Sequence, residues 1–218
     1  MNGYALGLET FEIMGVSLRV SLAATALATL VSVPIGFALS VRNFPGKRGV
    51  VGALNTLMAM PTVVVGLLVY MLLSHAGPLG FLGILYTPTA IILGEFILAV
   101  PIIAALTYAA TSGVDKRVRM TAETLGASSL QSAWMVLKEG RLGIIAAVIA
   151  GFGRIIAEVG SAIMVGGNIR GYTRTMTTAI ALETSKGNFK LGITLGLILL
   201  AVALSINIAV NSFVGKKT

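Results

Sequence analysis

Long uncharged apolar runs alternate along the chain with short connections that carry most of the charges. No charged residue occurs from Val20 to Val41 or from Gly49 to Gly94. Because about 20 apolar residues cross the hydrocarbon core of a bilayer, the second run is too long for one helix. The segment 74–80, which contains Gly and Pro, divides it. The pattern predicts five membrane-spanning helices, near 13–41, 50–73, 88–111, 142–165 and 191–214.

Together with this pattern, the composition predicts the fold class. The 218 residues are 56% hydrophobic and 11% charged, which is less than half the charged share of an average soluble domain. These values exclude a soluble enzyme, a secreted disulfide scaffold and a disordered chain. With no cysteine and only His75, we expect no metal site. We expect an all-α polytopic membrane protein in which residues 1–218 form a single membrane domain.

The basic residues predict the orientation of the spans. The connections 42–49 and 112–141, together with Lys216 and Lys217, carry ten basic residues. In a five-span topology all ten fall on one side, which the positive-inside rule makes the cytoplasm. The N-terminus would then lie outside and the C-terminus inside. The net charge of +8 is therefore an orientation signal, and nucleic acid is not an expected partner.

Four prolines lie within the apolar runs. Pro88 suits the first turn of the third span, where its missing N–H does not disturb the helix. Pro34, Pro61 and Pro101 are expected to kink or break their helices. A broken helix persists in a bilayer only where it is buried in protein or lines a cavity. This favours a transport pathway over a simple anchor, with Pro61 and Thr62 among the predicted pathway residues.

Residues 115–141 form a polar insert that keeps helical periodicity. Its apolar residues fall on the faces of two short helices, which are Val118, Ala122 and Leu125 in the first and Leu130, Trp134 and Leu137 in the second. Gly126 suits the turn between them, and Ser128 or Ser129 can cap the second. From these residues alone, the insert is either a docking element for another subunit or a helix lying on the lipid surface.

Several short motifs together resemble one family of membrane proteins. The run Ala122-Glu123-Thr124-Leu125-Gly126-Ala127-Ser128 resembles the cytoplasmic EAA loop of type I ABC-importer permeases. The segments similar to molybdate and sulfate permeases are Met60–Leu67, Gly77–Gly80, Val100–Pro101, Glu158–Gly160 and Gly167–Thr175. The next segment, Met176–Thr184, is most similar to the tungstate branch. The resemblance covers roughly residues 10–214.

The resemblance implies the type I permease fold and a division of labour among subunits. The EAA loop of the family inserts into a cleft of an ATP-binding subunit, which implies a coupling role for Ala122, Glu123, Leu125, Gly126, Ala127 and Ser128. Two copies of the chain would form the pathway as a homodimer in a prokaryotic cell membrane. An extracytoplasmic binding protein would deliver an oxyanion, with tungstate first and molybdate or sulfate next.

The chain itself is expected to be a transporter subunit and not an enzyme. It contains no Gly-x-x-x-x-Gly-Lys-Ser/Thr loop that could cradle a nucleotide phosphate. ATP and Mg²⁺ would therefore bind to the partner subunit, and no cofactor is expected in this chain. The sequence also departs from the family's EAA pattern in two places. Met120 stands in the place of its leading Glu, and Lys138-Glu139 replaces its terminal Leu-Pro. Whether Glu123 substitutes for that leading Glu stays open.

Three ionisable residues inside the spans are candidate pathway or gate residues. Arg154 and Glu158 lie four residues apart and therefore on one helical face. They form either a structural pair that neutralises itself or a pair that lines the pathway. Glu95 could face the pathway, pair with Arg154 or be protonated in an apolar site.

The predicted outer segment 166–190 disobeys the positive-inside rule because it carries four basic residues. It is either a tolerated exception or a surface that handles an anion. Arginine and hydroxyl groups hold tetrahedral oxyanions well. The residues predicted to contact either the anion or its binding protein are Asn168, Arg170, Thr173, Arg174 and Thr175.

Two other function classes remain as alternatives. An ion-coupled secondary transporter is commonly built from internal repeats, and none is evident in this sequence. A membrane scaffold or embedded enzyme would act without an ATPase partner, and an enzyme would need a converging catalytic set. ATP-dependent uptake separates the first alternative from an ABC importer, and a co-purifying ATPase separates the second.

Overall fold

The computed structural model describes the backbone of residues 3–215 and the side chains of residues 7–206 and 208. Within this part of the chain the regular structure is entirely helical, which confirms the all-α prediction. A short 3-10 turn, Gly80–Leu82, lies between the third and fourth α-helices. The α-helices are α1 (Gly3–Val41), α2 (Lys47–Met58), α3 (Thr62–Leu73), α4 (Pro88–Ser112), α5 (Lys116–Thr124), α6 (Ser129–Glu139), α7 (Arg141–Ile156), α8 (Gly160–Gly166), α9 (Met176–Ser185) and α10 (Phe189–Gly215).

Three of these helices are long and apolar enough to cross a membrane unaided, namely α1, α4 and α10. The other two predicted spans are bent pairs. Helices α2 and α3 meet at 96°, and helices α7 and α8 meet at 61°. Counting each pair as one span gives the five spans predicted from the sequence. The break in the span near 50–73 was expected at Pro61, and that in the span near 142–165 was not predicted.

The prolines divide into two groups. Pro61 ends the break between α2 and α3, and Pro88 occupies the first turn of α4, as expected. Pro34 and Pro101, in contrast, lie inside helices that continue through them. Neither proline breaks its helix, and the alternative expectation of a kink stays a prediction. Each proline removes one backbone hydrogen bond. The extensive packing of α1 against α4 keeps both helices continuous despite this missing bond.

Helix α4 occupies the centre of the bundle and contacts α1, α2, α3, α7 and α8. Small residues allow the close approach: a side chain at Gly36 of α1 would overlap the carbonyl of Ala104 in α4. The main core is built around Ala28, Val69 and Ile103, from three different helices. A second cluster joins α9 and α10 to the N-terminal part of α1, which begins at Gly3, ten residues before the predicted start of the first span.

Candidate functional site

The insert between α4 and α7 folds as the sequence predicts, into two short helices joined by a turn. Asp115 caps α5 by accepting a hydrogen bond from the backbone N–H of Arg117 at 2.9 Å. Gly126 adopts a φ of +87°, which favours glycine. Ser128 caps α6, and its backbone N–H donates to the side chain of Gln131 in a reciprocal capping box. The insert is thus held by local bonds at both helix starts.

The apolar face of this insert points away from the protein. Ala122 is buried, but Leu125 and Leu130 are 83% and 82% exposed, and Trp134 is also exposed. These side chains border an open groove of about 860 Å³, which Gly126, Ala127 and Phe37 of α1 also line. We call this groove the insert groove. A fixed helical pair with large unpaired apolar side chains is a surface for another molecule.

Glu123 does not lie in the insert groove. Its carboxylate accepts a hydrogen bond from Arg119 at 2.8 Å, and both side chains are nearly half exposed. Arg119 also donates to the carbonyl of Val41, the last residue of α1, at 3.5 Å. Glu123 therefore helps to hold the insert against the end of α1. Met120, which stands in the place of the family's leading Glu, is 63% exposed.

The two broken spans pack against each other near their breaks. A side chain at Gly160, the first residue of α8, would meet Val63 and the hydroxyl of Thr62 at the start of α3. One turn further along, a side chain at Gly66 would overlap the Cα atom of Ser161. Pro61 is exposed beside this contact. The breaks thus form one structural unit, which contains the predicted pathway residues Pro61 and Thr62.

Glu158 organises this unit. One carboxylate oxygen accepts a hydrogen bond from the backbone N–H of Ser161 at 3.1 Å, and the other pairs with Arg154 at 3.1 Å. Its backbone carbonyl accepts a hydrogen bond from the hydroxyl of Thr177 in α9 at 2.6 Å. The Glu158 side chain is buried, whereas the Arg154 side chain is 48% exposed. The pair exists as predicted, and it combines a structural carboxylate with an accessible guanidinium.

Glu95 lies in the interior of the protomer and is 2% exposed. Its Oε1 atom accepts a hydrogen bond from Ser21 of α1 at 3.4 Å. Among the described residues, Glu95 Oε2 has no hydrogen-bond partner and no ion pair includes Glu95. Of the three alternatives for Glu95, pairing with Arg154 is not observed, since Arg154 pairs with Glu158. The side chain of Glu95 is buried within the single protomer, and its role in a pathway stays a prediction.

The predicted outer cluster separates into structural and accessible residues. Thr173 is fully buried and accepts a hydrogen bond from the backbone N–H of Ile169. Thr175 caps α9. Asn168, at φ +51°, accepts a hydrogen bond from Arg174 at 3.3 Å and donates to the carbonyl of Thr178. These polar groups hydrogen-bond within the segment, so most of their hydrogen-bonding capacity is already used and little is available to a ligand.

Both arginines of this cluster pair with Glu9, a residue that sequence reasoning did not single out. Arg170 lies 2.7 Å from one carboxylate oxygen of Glu9, and Arg174 lies 3.6 Å from the other. The Arg170 side chain is 66% exposed, but that of Arg174 is only 12% exposed. Of these two arginines, Arg170 is thus the more accessible one. The sequence feature that could have identified Glu9 was its acidic charge ahead of the first apolar run.

The end of α9 carries a further ion pair. Lys186 Nζ lies 3.0 Å from Glu183, and the side-chain amide of Asn188 donates to the same carboxylate at 2.9 Å. These hydrogen bonds, that of Lys186 first, hold the pKa of Glu183 below its usual value. Two of the four basic residues of this segment therefore have a carboxylate partner in Glu9, and Lys186 has one in Glu183.

The fold and these sites define a class of protein. Residues 32–216 match the family described as "Binding-protein-dependent transport system inner membrane component". The chain belongs to this family and is a multi-pass inner-membrane permease subunit of the ABC type. Its fold agrees with a permease chain of the inward-facing MetNI methionine ABC transporter, at a TM-score of 0.81 over 100% of both chains and 16% identity. The type I permease fold predicted from the sequence is confirmed.

Within this class the chain is similar to anion permeases. It is 45% identical over 201 residues to the "Probable anion ABC transporter permease protein" of Haloferax volcanii. The matched region covers 90% of this chain and 87% of that protein. It is 40% identical over 204 residues to the "Tungstate uptake system permease protein TupB" of Peptoclostridium acidaminophilum, with 94% and 90% covered. These relatives are named as transporter permeases and not as enzymes.

Proposed function

We propose that the chain is the permease subunit of an ATP-driven importer of an oxyanion, with tungstate as the first cargo and molybdate or sulfate next. The identity of 40% over 94% of the chain to a named tungstate permease supports this order. The three anions share a tetrahedral shape and a double negative charge. An external binding protein delivers the anion, and selectivity among such similar anions resides mainly in that protein.

The exposed insert groove is the observation that supports coupling to an ATP-binding subunit. Leu125, Leu130 and Trp134 are presented on two capped helices, with no neighbour in the described protomer to cover them. An ATP-binding subunit that inserts its own apolar surface here moves with α5 and α6. ATP and Mg²⁺ bind to that subunit. Its motion switches the access of the pathway between the two sides of the membrane, as a rigid-body change between two states.

A homodimer is supported by the break between α2 and α3. Ala59 and Pro61 are exposed at this break on the single protomer. Irregular backbone at membrane depth needs protein or a water-filled cavity around it. A second copy that packs near this break encloses one pathway between the two chains, with Pro61, Thr62 and the accessible Arg154 near it.

The orientation follows from the basic connections. The face that carries Arg42, Lys47 and the insert is the cytoplasmic face. The N-terminal end of α1 and the segment around Arg170 then lie outside, where the binding protein docks. Lys216 and Lys217, which contribute to this prediction, lie outside the described residues. The exposed Arg170 is the residue of that segment best suited to contact the binding protein or its anion.

The experiment is reconstitution of the chain into vesicles with its ATP-binding subunit and its binding protein. We expect uptake of radiolabelled tungstate that requires both partners and ATP, and competition by molybdate before sulfate. Uptake that follows an ion gradient without ATP would contradict the proposal and favour a secondary transporter. Absence of a co-purifying ATPase under several mild detergents would favour a scaffold.

A further inference from the structure

A basic cleft lies where α1 ends and α2 begins. It is an open cavity of about 650 Å³. The turn between the two helices, the first turns of α2 and Tyr108 of α4 line it, with Lys47 and Arg48 as its charged residues. A second cavity of about 480 Å³ adjoins it and is lined by Ile35, Ala38, Leu39 and Arg42. Asn43 and Phe44 line both cavities, so the two are adjacent. We call the pair the α1–α2 cleft.

The positive charge of this cleft is not neutralised by the protein. The sequence contains no acidic residue from position 13 to position 94. No ion pair among the described residues includes Arg42, Lys47 or Arg48. Both arginines are exposed. Three cations without a carboxylate partner along two adjacent cavities favour an anion as the occupant, and a guanidinium presents paired donors that match a phosphate.

Lys47 holds the cleft in shape. Its ammonium group donates to the carbonyl of Ser40 at 3.4 Å and to that of Arg42 at 3.1 Å, at the end of α1. It also lies 5.6 Å from the centre of the Tyr108 ring, in a cation–π contact. These contacts fix α2 relative to α1 and α4. Arg42 and Arg48 are left free to bind a ligand.

The cleft lies at the level where the chain leaves the hydrocarbon core. The uncharged stretch 20–41 of α1 extends about 33 Å at about 1.5 Å per residue, close to the thickness of that core. Arg42 follows it directly and so lies at headgroup level. Below Arg42, the apolar second cavity runs along about one and a half turns of α1 toward the membrane interior.

An apolar groove below a ring of basic groups fits an amphiphile better than a free anion. We propose that the α1–α2 cleft binds an anionic phospholipid, whose phosphate contacts Arg42 and Arg48 and whose acyl chain lies along Ile35, Ala38 and Leu39. A free oxyanion has no apolar part that could occupy the apolar cavity. The site adjoins the coupling insert, since Arg119 of that insert bonds to the carbonyl of Val41.

The test is native mass spectrometry of the full chain, purified with whatever subunits accompany it and equilibrated with an equal mixture of phosphatidylglycerol and phosphatidylcholine. We expect wild-type protein to retain phosphatidylglycerol in preference. Arg42→Gln/Arg48→Gln should lose the preference by about fivefold for each arginine, since a basic residue near an anionic lipid contributes about 1 kcal/mol. Equal retention by wild type and this double variant would overturn the proposal.

Two controls separate this site from general charge effects. Lys116→Gln/Arg117→Gln removes the same charge from exposed positions of α5 and should keep the preference. Loss of the preference in this control as well would overturn a local site. Ala38→Trp fills the apolar cavity while both arginines remain, and it should reduce lipid retention. Unchanged retention in Ala38→Trp would exclude an acyl chain from the groove.

Competition distinguishes the other occupants. Glycerol 3-phosphate and tungstate, added in millimolar excess, should leave the retained lipid in place. Displacement by either would make the cleft a site for a free anion. Retention only after the partner subunits have been stripped away would mean that a protein partner covers the cleft. Either result would overturn the lipid assignment.

Discussion

Glu158 shows how one carboxylate in a membrane span can serve the backbone and a neighbouring charge together. Its carboxylate bonds to the start of α8 through Ser161 and to Arg154, and the backbone carbonyl of Glu158 accepts the bond from Thr177 of α9. Arg154 and Glu158 are four residues apart in the sequence, so their pairing followed from sequence spacing. The bond to Ser161 did not, because it depends on the break between α7 and α8, in which Glu158 lies.

The first prediction separates these roles by substitution. Glu158→Ala removes the bonds of its side chain to Ser161 and Arg154 and should lower the free energy of unfolding by about 1 to 3 kcal/mol. Glu158→Gln keeps an acceptor for Ser161 and should cost less. Arg154→Gln keeps the bond to Ser161 but leaves the buried carboxylate of Glu158 without its ionic partner, so it should also lower stability, and it should reduce uptake. Thermal unfolding in detergent and vesicle uptake measure both effects. An unchanged melting temperature in Glu158→Ala would contradict a stabilising role for the bonds of this carboxylate.

At the scale of elements, the two broken spans are joined by small residues. Gly66 and Gly160 allow α3 and α8 to touch backbone to backbone near both breaks. The insert is organised differently. Its two helices are held by local caps, and its apolar side chains remain exposed. Helices α3 and α8 are fixed by close packing, whereas helices α5 and α6 of the insert keep apolar side chains available for a partner.

A bulky side chain at Gly66 tests the packing of α3 on α8. Gly66→Leu should force the two helices apart and lower the free energy of unfolding by about 1 to 3 kcal/mol, because overpacking strains the contact. Gly153→Leu is the matched control, since a side chain at Gly153 of α7 meets no atom within 4 Å. Thermal unfolding of both variants is the measurement. Equal melting temperatures would show that the backbones are not in contact.

A charge in the insert groove tests docking of the ATP-binding subunit. Leu130→Asp should weaken association by about tenfold or more, because burying a leucine contributes about 1.5 to 3 kcal/mol. Thr121→Asp adds the same charge to an exposed position of the insert that does not line the groove, and it should bind normally. Co-purification and a titration with the isolated ATPase measure this. Normal binding by Leu130→Asp would place the docking surface elsewhere.

At the scale of the whole molecule, the two halves of the chain meet at the N-terminal end of α1. Glu9 pairs with Arg170 and Arg174, which lie more than 160 residues further along the sequence. Ile13 and Met176 belong to one buried cluster beneath this ion pair. The extension of α1 beyond the predicted membrane span therefore anchors the segment that precedes α9.

Removal of the Glu9 charge tests this anchor. Glu9→Gln should lower the free energy of unfolding by about 1 to 2 kcal/mol, because Arg174 then remains nearly buried without its ionic partner. Glu12→Gln is the control, since Glu12 is exposed and none of the described ion pairs includes it. Melting temperatures at low and high salt should reveal the difference. A larger loss in Glu12→Gln would contradict the assignment.

Local patterns were sufficient for much of the fold and for part of the site. The five spans, the turn at Gly126, the cap at Ser128 and the position of Pro88 were all predicted, because each depends on a few adjacent residues. The continuity of α1 through Pro34 was not, since long-range packing on α4 outweighs one missing hydrogen bond. The accessibility of Arg170 compared with Arg174 also depends on a distant carboxylate.

The sequence by itself determined that this chain is a membrane permease, because hydropathy, basic connections and short motifs are properties of consecutive residues. Only the tertiary structure decided which polar groups are available. It buries Glu95 and Thr173 within the protomer, and it exposes the apolar face of the insert. It also brings the ends of α1 and α2 together around a basic cleft. Burial and charge pairing depend on contacts between residues far apart in the chain, and a linear pattern does not contain them.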